Sequence, residues 1–440
     1  MTHLTVHEWG SKSVANASDS AGQEAFSRAQ ANALLAAARA HPLANVHGTN
    51  ILIDRHKEIV AQQMVGVIAA PGCSLEILPK IDLDATESNG TIRSRLMRML
   101  DIALGLNLGD GQASAMARQK VTLLDILIRV FADRLLAEAR RGLPRAYLIQ
   151  KEDLPALRGR LDVRRQFTVL AVRPDRLACR YDALMADTPL LRIMKACVLL
   201  VRRHARATET IRRLDELRFL LADVSDIAPR DLPWAQVRID RTNRRWETLY
   251  GLARLFLKRE WQATHHDRSA DQGITLLFPM NDLFEAYVAA LAKRAMRGTE
   301  LTVHSQGGGL FCLIEEGDGG RQRFQTKPDL LIKQGREIVM IIDTKWKRIG
   351  SNLEDRKHGV SQADVYQMMA YARLYRCSEV MLLYPHHAGL GADALDATYG
   401  ILAGNERLRA TSIDLTRDQP TIVHNLGGMI AKEKGGSVSV

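Results

Sequence analysis

Two aspartates and a lysine in the last third of the 440-residue chain have the types and spacing for metal-assisted chemistry. Asp343 and Lys345 are two residues apart in an apolar run that begins at Ile338, so on a strand both side chains point to one face. Asp329 lies on the preceding predicted strand, which a short turn over residues 333–337 joins to the next. A hairpin therefore brings the three side chains together.

This combination of charges favours a metal ion and a phosphate substrate. Two neighbouring carboxylates repel each other unless a cation lies between them, and their hard oxygen atoms suit Mg²⁺. A lysine beside such an ion orients or helps to deprotonate a water molecule, and it stabilises charge that develops on a phosphate. The alternative is that Asp329 and Asp343 are ordinary strand-end or turn acids, because the Asp-x-Lys pattern alone is common.

Hydrophobic patterning predicts the elements that position these side chains. Asn281 begins a helix whose apolar side includes Leu283, Phe284 and Tyr287. The elements that follow are strands over 325–332 and 338–346, a helix over 361–375 and a strand over 380–384. The sequence therefore predicts an α/β arrangement in which a hairpin lies between two helices.

The run Pro328-Asp329, followed by Asp343-Thr344-Lys345, resembles the motif of the PD-(D/E)XK nuclease superfamily. The resemblance implies a restriction-endonuclease-like α/β domain. It also implies that Asp329 and Asp343 hold the metal together with the backbone carbonyl of Thr344. Lys345 is then expected to act on the attacking water and the scissile phosphate.

The same resemblance implies two further site residues on the flanking helices. Glu285, before the hairpin, is expected to be an additional acidic metal ligand, and Gln367 matches a glutamine often found on the helix after the lysine strand. Each has an alternative. Asp282 and Glu285 are spaced like a helix capping box, and Gln367 suits any polar helix position. Trp346 and Tyr366 are more typical of packing than of base stacking.

Several segments together resemble McrC proteins, the nuclease subunits of McrBC-type modification-dependent restriction systems. The nuclease-region segments are 283–288, 327–329, 342–347, 364–371 and 382–385, and the looser upstream ones are 66–68, 78–80, 157–161 and 179–182. The resemblance implies DNA cleavage beside a separate hexameric McrB-like AAA+ GTPase ring, which recognises the modified DNA and which the McrC N-terminal region stimulates. The chain has no GxxxxGK[ST] phosphate loop, as expected for a subunit that does not hydrolyse GTP.

Patterning along the chain predicts a multi-domain α/β protein with three regions. Residues 1–95 form a strand-rich region, with an Ala-rich helix over 23–40 and short strands over 50–53, 58–61, 65–70 and 75–80. The resemblance to McrC implies that this region docks on the partner. Residues 96–265 form a mainly helical middle region, with a Pro- and Gly-punctuated connector over 154–162. A polar linker over 265–273 leads into a PD-(D/E)XK nuclease domain over 270–440.

Composition narrows the function classes. The net charge of +11 favours a polyanion such as DNA, although arginines on solvated helix faces explain it equally well. The five cysteines are scattered and form no CxxC pair, which argues against disulfides and a cysteine zinc site. The sequence has no membrane-length apolar run and no signal-peptide pattern. We therefore expect a cytoplasmic protein without a membrane partner.

Two other functions compete with that of a restriction endonuclease subunit. One is a non-cutting DNA-binding regulator or scaffold of the AAA+ partner, and the intact acids and lysine count against it. The other is a stand-alone PD-(D/E)XK repair nuclease, which would cut unmodified DNA without a partner.

Overall fold

The computed structural model describes residues 2–15, 25–45, 48–80, 87–106, 122–258, 275–316, 320–349, 359–391, 395–402 and 404–431. The predicted linker over 265–273 lies outside these residues. The chain divides into two units. Unit 1 comprises Met1–Arg39, Ala44–Leu123 and Leu277–Val440, and unit 2 comprises Ala40–Leu43 and Leu124–Leu276. Unit 1 thus contains most of the predicted N-terminal region and most of the predicted nuclease region, and the three-region division stays a prediction.

The N-terminal part of unit 1 is rich in strands, and apolar runs account for its core. Its strands are β1 (Thr2–His7), β2 (Ser11–Ala15), β3 (Phe26–Ser27), β4 (Leu52–Asp54), β5 (Glu58–Ala61), β6 (Met64–Ala70) and β7 (Cys73–Leu78). Its helices are α1 (Arg28–Arg39) and α2 (Asn89–Leu104). β7 pairs in parallel with β1 and antiparallel with β6, and every residue of β6 and β7 is buried. The predicted short strands are confirmed within two residues.

Unit 2 is built from helices and a three-stranded sheet. Its helices are α3 (Leu123–Arg140), α4 (Val163–Thr168), α5 (Pro189–Arg202), α6 (Thr208–Leu220) and α7 (Glu247–Lys258). Its strands are β8 (Ala146–Leu154), β9 (Arg160–Leu161) and β10 (Leu177–Met185), in the order β8-β10-β9. Phe131 of α3 packs edge-on against Phe256 of α7, with ring centroids 5.8 Å apart.

The prediction of a mainly helical middle region is wrong where this sheet lies. The strand signal is weak because β8 and β10 bury little: Tyr147 is 73% exposed and Ile149 is 55% exposed. β8 also ends in the polar run from Gln150 to Asp153, which lacks the apolar alternation of a half-buried strand. Backbone pairing over nine residues of β8 and β10 holds the hairpin instead.

The C-terminal part of unit 1 is organised around a six-stranded mixed sheet. The strands of this sheet are β12 (Leu301–Ser305), β15 (Leu330–Gln334), β16 (Glu337–Thr344), β17 (Glu379–Pro385), β18 (Asp396–Gly400) and β19 (Arg407–Ile413). The other strands of this part are β11 (Thr275–Pro279), β13 (Phe311–Ile314) and β14 (Gln322–Gln325). The helices are α8 (Met280–Ala295), α9 (Gln362–Tyr375) and α10 (Gln419–Ala431). The six-stranded order is β12-β15-β16-β17-β19-β18, β13 pairs with β14 as a separate hairpin, and β11 lies beside β6.

The buried face of this sheet packs against α9. Ile341 of β16, Leu382 of β17 and Ala410 of β19 form one apolar cluster with Met368 and Ala372 of the helix. β16, β17 and β19 run in parallel, so they are buried and read as continuous apolar runs. The helix after the lysine strand and the apolar strand after it are both confirmed.

The predicted strand over 325–332 is wrong in its first half. β14 ends at Gln325 and β15 begins at Leu330, because Thr326 turns its backbone N–H and its hydroxyl to the carbonyl oxygen of Leu310 instead of a ladder partner. Pro328, without an N–H, cannot donate to a ladder either. Asp329 therefore stands immediately before a strand.

Two further sequence-based expectations concern the whole chain. All five cysteines are free, as the sequence predicts. Within the parts of the chain described above, no helix has the length and apolar character needed to cross a lipid bilayer. The predicted α/β class is also confirmed, because the described residues form helices together with parallel and antiparallel strands.

Candidate metal and phosphate site

The β15–β16 hairpin brings the two predicted aspartates together. The strands are antiparallel with Leu330 opposite Ile342, so Asp329 and Asp343 occupy adjacent positions at the same end of the hairpin. Gly335, at a φ of +61°, makes the connecting turn, and glycine adopts this left-handed backbone without strain. Ile341 and Ile342, on opposite faces of β16, are both buried, so the hairpin is packed on its two sides.

Asp329 is held by the end of the neighbouring strand. Its Oδ2 accepts hydrogen bonds from the backbone N–H of Thr344 at 2.7 Å and from the Thr344 hydroxyl at 2.8 Å. Burial raises the pKa of Asp329, and these two bonds and the charge of Lys345 oppose the shift. Both bonds fall on Oδ2, which leaves Oδ1 for another ligand.

Asp343 and Lys345 form a buried ion pair beside Asp329. The Lys345 Nζ lies 2.5 Å from Asp343 Oδ2, and Asp343 is 1% exposed. Burial raises the pKa of Asp343 to about 6, and the negative charge of Asp329 contributes further. Burial acts to lower the pKa of Lys345, but the Asp343 carboxylate outweighs it and the pKa is raised. Lys345 is therefore a fixed cation in a cluster that holds more acid than base.

Gln367 of α9 reaches this ion pair, as the family resemblance implies. The Lys345 Nζ donates to Gln367 Oε1 at 3.0 Å, and Gln367 Nε2 donates to the Tyr371 hydroxyl at 2.8 Å. Gln367 is thus part of the site's hydrogen-bond network and not simply a polar surface position.

Glu285 lies on α8 and is electrostatically linked to the cluster. Burial raises the pKa of Glu285 to about 7, the charge of Asp329 adds to the shift, and a hydrogen bond with Gln306 opposes it. The capping-box alternative is wrong, because α8 begins at Met280 after Pro279 and has no side-chain cap bond. Asp282 lies inside the first turn, and burial raises its pKa as well.

The sequence interpretation gave no role to two residues of α9 that contact the cluster. Asp364 is buried, pairs with the Lys347 Nζ at 3.0 Å and lies 3.8 Å from the Lys345 Nζ. Tyr371 fixes Gln367, and burial raises the pKa of its hydroxyl to about 12. Asp364, Gln367 and Tyr371 are spaced three and four apart, so they share one helix face. In the sequence, this spacing is the signal that could have identified Asp364 and Tyr371 as neighbours of Gln367.

The two aromatic residues for which packing was favoured differ in the structure. Trp346 is 7% exposed, lies 5.4 Å from the ring of Phe284 and donates a hydrogen bond to Glu8. Tyr366 is 60% exposed, so the packing expectation is wrong for it.

The donor set fits a hard divalent cation in part. Asp343 is buried and Asp329 is half-buried, the charge of Asp329 raises the cost of ionising Asp343, and a cation between them would relieve the repulsion. Among the described residues, no group of three or more His, Cys, Asp and Glu side chains is arranged to hold a metal. The structure thus brings Asp329 and Asp343 together but does not complete a three-acid cluster with Glu285.

The sequence matches the family model described as McrBC 5-methylcytosine restriction system component over residues 59–385. No curated protein matches it. The fold is similar to a chain of a refined half-complex from a tetradecameric assembly of Thermococcus gammatolerans McrB AAA+ hexamers with bound McrC. The two chains are 20% identical with a TM-score of 0.68, and the alignment covers 98% of this chain and 100% of the other.

The fold is also similar to a chain of the cryo-EM structure of the Thermococcus gammatolerans McrBC complex. Here the identity is 22% and the TM-score 0.51, with 67% of this chain and 88% of the other covered. At these identities the two likenesses show a shared fold.

Proposed function

This chain belongs to the family of McrBC 5-methylcytosine restriction system components, and from this membership we propose that it is the DNA-cutting subunit of a modification-dependent restriction complex. It hydrolyses phosphodiester bonds with Mg²⁺ and acts in the cytoplasm with a separate McrB-like AAA+ GTPase ring that recognises the modified DNA. The similar Thermococcus structure, described as McrB AAA+ hexamers with bound McrC, supports the ring partner, because the shared fold extends over 98% of this chain.

We assign DNA cleavage to this chain because Asp329, Asp343 and Lys345 lie close together. The Lys345 Nζ lies 2.5 Å from Asp343 Oδ2, and the charge of Asp329 acts on both. The mixed sheet with α8 before it and α9 after the lysine strand supports a PD-(D/E)XK domain. A degenerate, DNA-binding scaffold has no need to keep buried acids in excess over bases, since their ionisation costs free energy.

Asp329 and Asp343 would hold Mg²⁺ through carboxylate oxygens, with the Thr344 carbonyl and Glu285 as further ligands. When bound, such an ion would supply Lewis-acid polarisation of the phosphate and would make a water molecule more acidic. The hydrogen bonds from Thr344 fix Asp329 before any ligand arrives. The site is therefore pre-organised at its first acid.

Lys345 contributes positive charge and orientation. Its pKa is raised by the Asp343 carboxylate, so it stays protonated and places an ammonium group where charge develops on the phosphate. The Lys345 ammonium donates a hydrogen bond to Gln367 Oε1, and this bond fixes the orientation of its two other N–H groups. A protonated lysine orients the attacking water without itself acting as the general base.

The test is cleavage of methylated DNA by the reconstituted complex of this chain and its AAA+ partner with GTP and Mg²⁺. The wild-type chain is expected to cut, and Asp343→Ala is expected to abolish cutting while partner binding and GTP hydrolysis persist. Retained cleavage by Asp343→Ala would remove the catalytic assignment.

Two controls separate the competing functions. Metal-dependent cutting of unmodified DNA by the chain alone would favour a stand-alone nuclease. Stimulation of the partner's GTPase without any cleavage by the wild-type chain would favour a non-cutting regulator.

A further inference from the structure

A pocket of about 460 Å³ in unit 1 lies beside the catalytic strand, and its walls include Glu8, Trp9, Lys80, Trp346, Lys347 and Arg348. We propose that this pocket binds one unpaired DNA nucleotide next to the cleaved phosphate, with the base against Trp9 and the backbone phosphate against the basic rim. The inference rests on the proposed function, because it deepens it by assigning a base-binding subsite.

Glu8 supplies a built polar floor. It is 1% exposed, and its Oε2 accepts hydrogen bonds from the backbone N–H of Lys80 at 3.0 Å and from Trp346 Nε1 at 3.2 Å. Its Oε1 is buried and has no hydrogen-bond partner among the described residues. A buried carboxyl oxygen without a partner is costly, and the amino or imino edge of a base would satisfy it. Burial raises the pKa of Glu8 to about 7, so the group offers either a donor or an acceptor.

Trp9 supplies a stacking surface. It is 59% exposed, although tryptophan usually buries most of its ring, and it lines the pocket. Its φ of +62° lies in the left-handed region, which is strained for a bulky side chain. Strained residues of this kind concentrate at binding sites. Every base has an aromatic face, so a ring in this position binds nucleotides irrespective of sequence.

The rim carries the charge that a phosphate needs. Lys80, Lys347 and Arg348 all line the pocket, and all three are exposed. Glu8 is the acid among the pocket residues, and it lies buried beneath them. Cationic side chains around a cavity attract the nucleic-acid backbone, and their contribution weakens as salt rises.

The pocket is lined by the residues that follow Lys345 in the chain. Trp346 and Lys347 follow Lys345 directly, so the wall of the pocket is the extension of the lysine strand. Asp364 pairs with the Lys347 Nζ at 3.0 Å and lies 3.8 Å from the Lys345 Nζ. A strand whose phosphate lies at Lys345 therefore places an adjacent nucleotide at the rim.

The size and chemistry favour a nucleotide over a protein side chain. A volume of about 460 Å³ is in the range of small-molecule sites. A basic protein segment would suit Glu8 but would meet the three cations of the rim first. An unpaired nucleotide avoids the cost of extruding a base from a duplex, so it is the expected occupant.

The test uses the full-length chain without added metal and measures DNA binding by fluorescence anisotropy. The probes are a short duplex with one unpaired thymidine nucleotide and the same duplex with an abasic nucleotide in its place. The wild-type chain is expected to bind the probe with the unpaired base about 5- to 150-fold more tightly than the abasic probe, which is the contribution of one stacked base to affinity. Trp9→Ala is expected to bind both probes equally, and Trp9→Phe is expected to keep the preference.

Phe219→Ala is the matched control, because Phe219 is an aromatic residue that is 80% exposed in unit 2. It is expected to retain the full preference. The subsite is overturned if Trp9→Ala and the wild type prefer the probe with the unpaired base to the same extent. It is also overturned if Trp9→Ala weakens only the binding of the AAA+ partner, because the pocket would then be a protein-docking site. Cleavage by the same wild-type preparation in the reconstituted complex is measured in parallel, so failure of the proposed function appears separately as loss of wild-type cutting.

Discussion

Unit 1 buries two acidic clusters that differ in how completely they are neutralised. Glu76, fully buried on β7, accepts hydrogen bonds from Arg93 at 2.8 and 2.6 Å and from the backbone of Leu123 at 3.1 Å. Burial acts to raise its pKa, but Arg93 outweighs burial and the pKa is lowered. At the β15–β16 hairpin, by contrast, the pKa of Asp343 is raised to about 6.

The contrast separates an acid that the fold neutralises from one that it neutralises only in part. Glu76 has a bidentate cation of its own, so it is satisfied without any added group. Asp343 has the single ammonium of Lys345, and Asp329 adds a second negative charge beside it. Burying the cluster of Asp329, Asp343 and Lys345 lowers the stability of the fold, and a bound divalent cation would offset that loss.

The largest expected effect is on catalysis. If the proposed function holds, Lys345→Met is expected to lower the rate of DNA cleavage by about 100- to 10,000-fold, because it removes the ammonium proposed to orient water and stabilise the phosphate. Single-turnover cleavage by the reconstituted complex gives the rate. Lys333→Met, on the neighbouring strand β15, is the matched control and should cut normally. A loss of less than tenfold in Lys345→Met would show that the ion pair is structural.

The next effect is on stability and should have opposite signs in the two clusters. Glu76→Gln is expected to lower the free energy of unfolding by about 3–5 kcal/mol, because it leaves the Arg93 charge buried without its partner. Asp343→Asn removes one of two repelling charges and leaves Lys345 beside the charges of Asp364 and Asp329, so the metal-free protein should be as stable as the wild type or more stable. Urea denaturation measures both. Similar losses in the two variants would remove the distinction between the clusters.

A pH titration sharpens the comparison. The pKa of Asp343 is raised from 3.8 to about 6 in the folded protein, so between these values the folded state keeps a proton that the unfolded state has released. The stability of the metal-free protein should therefore fall as pH rises from 3.8 to about 6. Mg²⁺ affinity should rise over the same range, because the carboxylate binds the ion.

Thermal unfolding measured across this pH range, with and without Mg²⁺, shows both trends. Asp343→Asn should flatten the dependence of the metal-free melting temperature. An unchanged slope in that variant would assign the titration to another group, such as Glu285, whose pKa is raised to about 7.

The smallest effect concerns the support of Gln367. Tyr371→Phe removes the hydroxyl to which Gln367 donates, a bond of about 0.5–1.5 kcal/mol. Cleavage should fall by less than about tenfold, with Mg²⁺ affinity unchanged. Tyr375→Phe is the control one turn further along α9, since the Tyr375 hydroxyl bonds Thr326 instead. Its cleavage rate should equal that of the wild type, and equal losses in both variants would indicate a general effect on the helix.

The sequence predicted the centre of the site better than its surroundings. Asp329, Asp343 and Lys345 follow from strand periodicity and a short hairpin, which are local properties. Gln367 lies on the helix after the lysine strand, where the family resemblance places it, and it contacts Lys345. The link from Trp346 to Glu8 joins residues 338 positions apart in the sequence, and no local pattern predicts such a contact.

The same limit explains the errors in the fold. The hairpin of β8 and β10 in unit 2 has no strong strand signal, because it is held by backbone pairing and leaves apolar side chains such as Tyr147 exposed. Asp329 was expected within a strand but precedes one, because Thr326 bonds the carbonyl of Leu310. In both cases a partner distant in sequence decides the local structure.

Calorimetric titration of the full-length chain with Mn²⁺, as a stand-in for Mg²⁺, tests the distinction between the two clusters most directly. One site is expected in the wild type, and Asp343→Asn should abolish it. Lys333→Met should retain it. Absence of a divalent-cation site in the wild type, or an unchanged site in Asp343→Asn, would contradict the account.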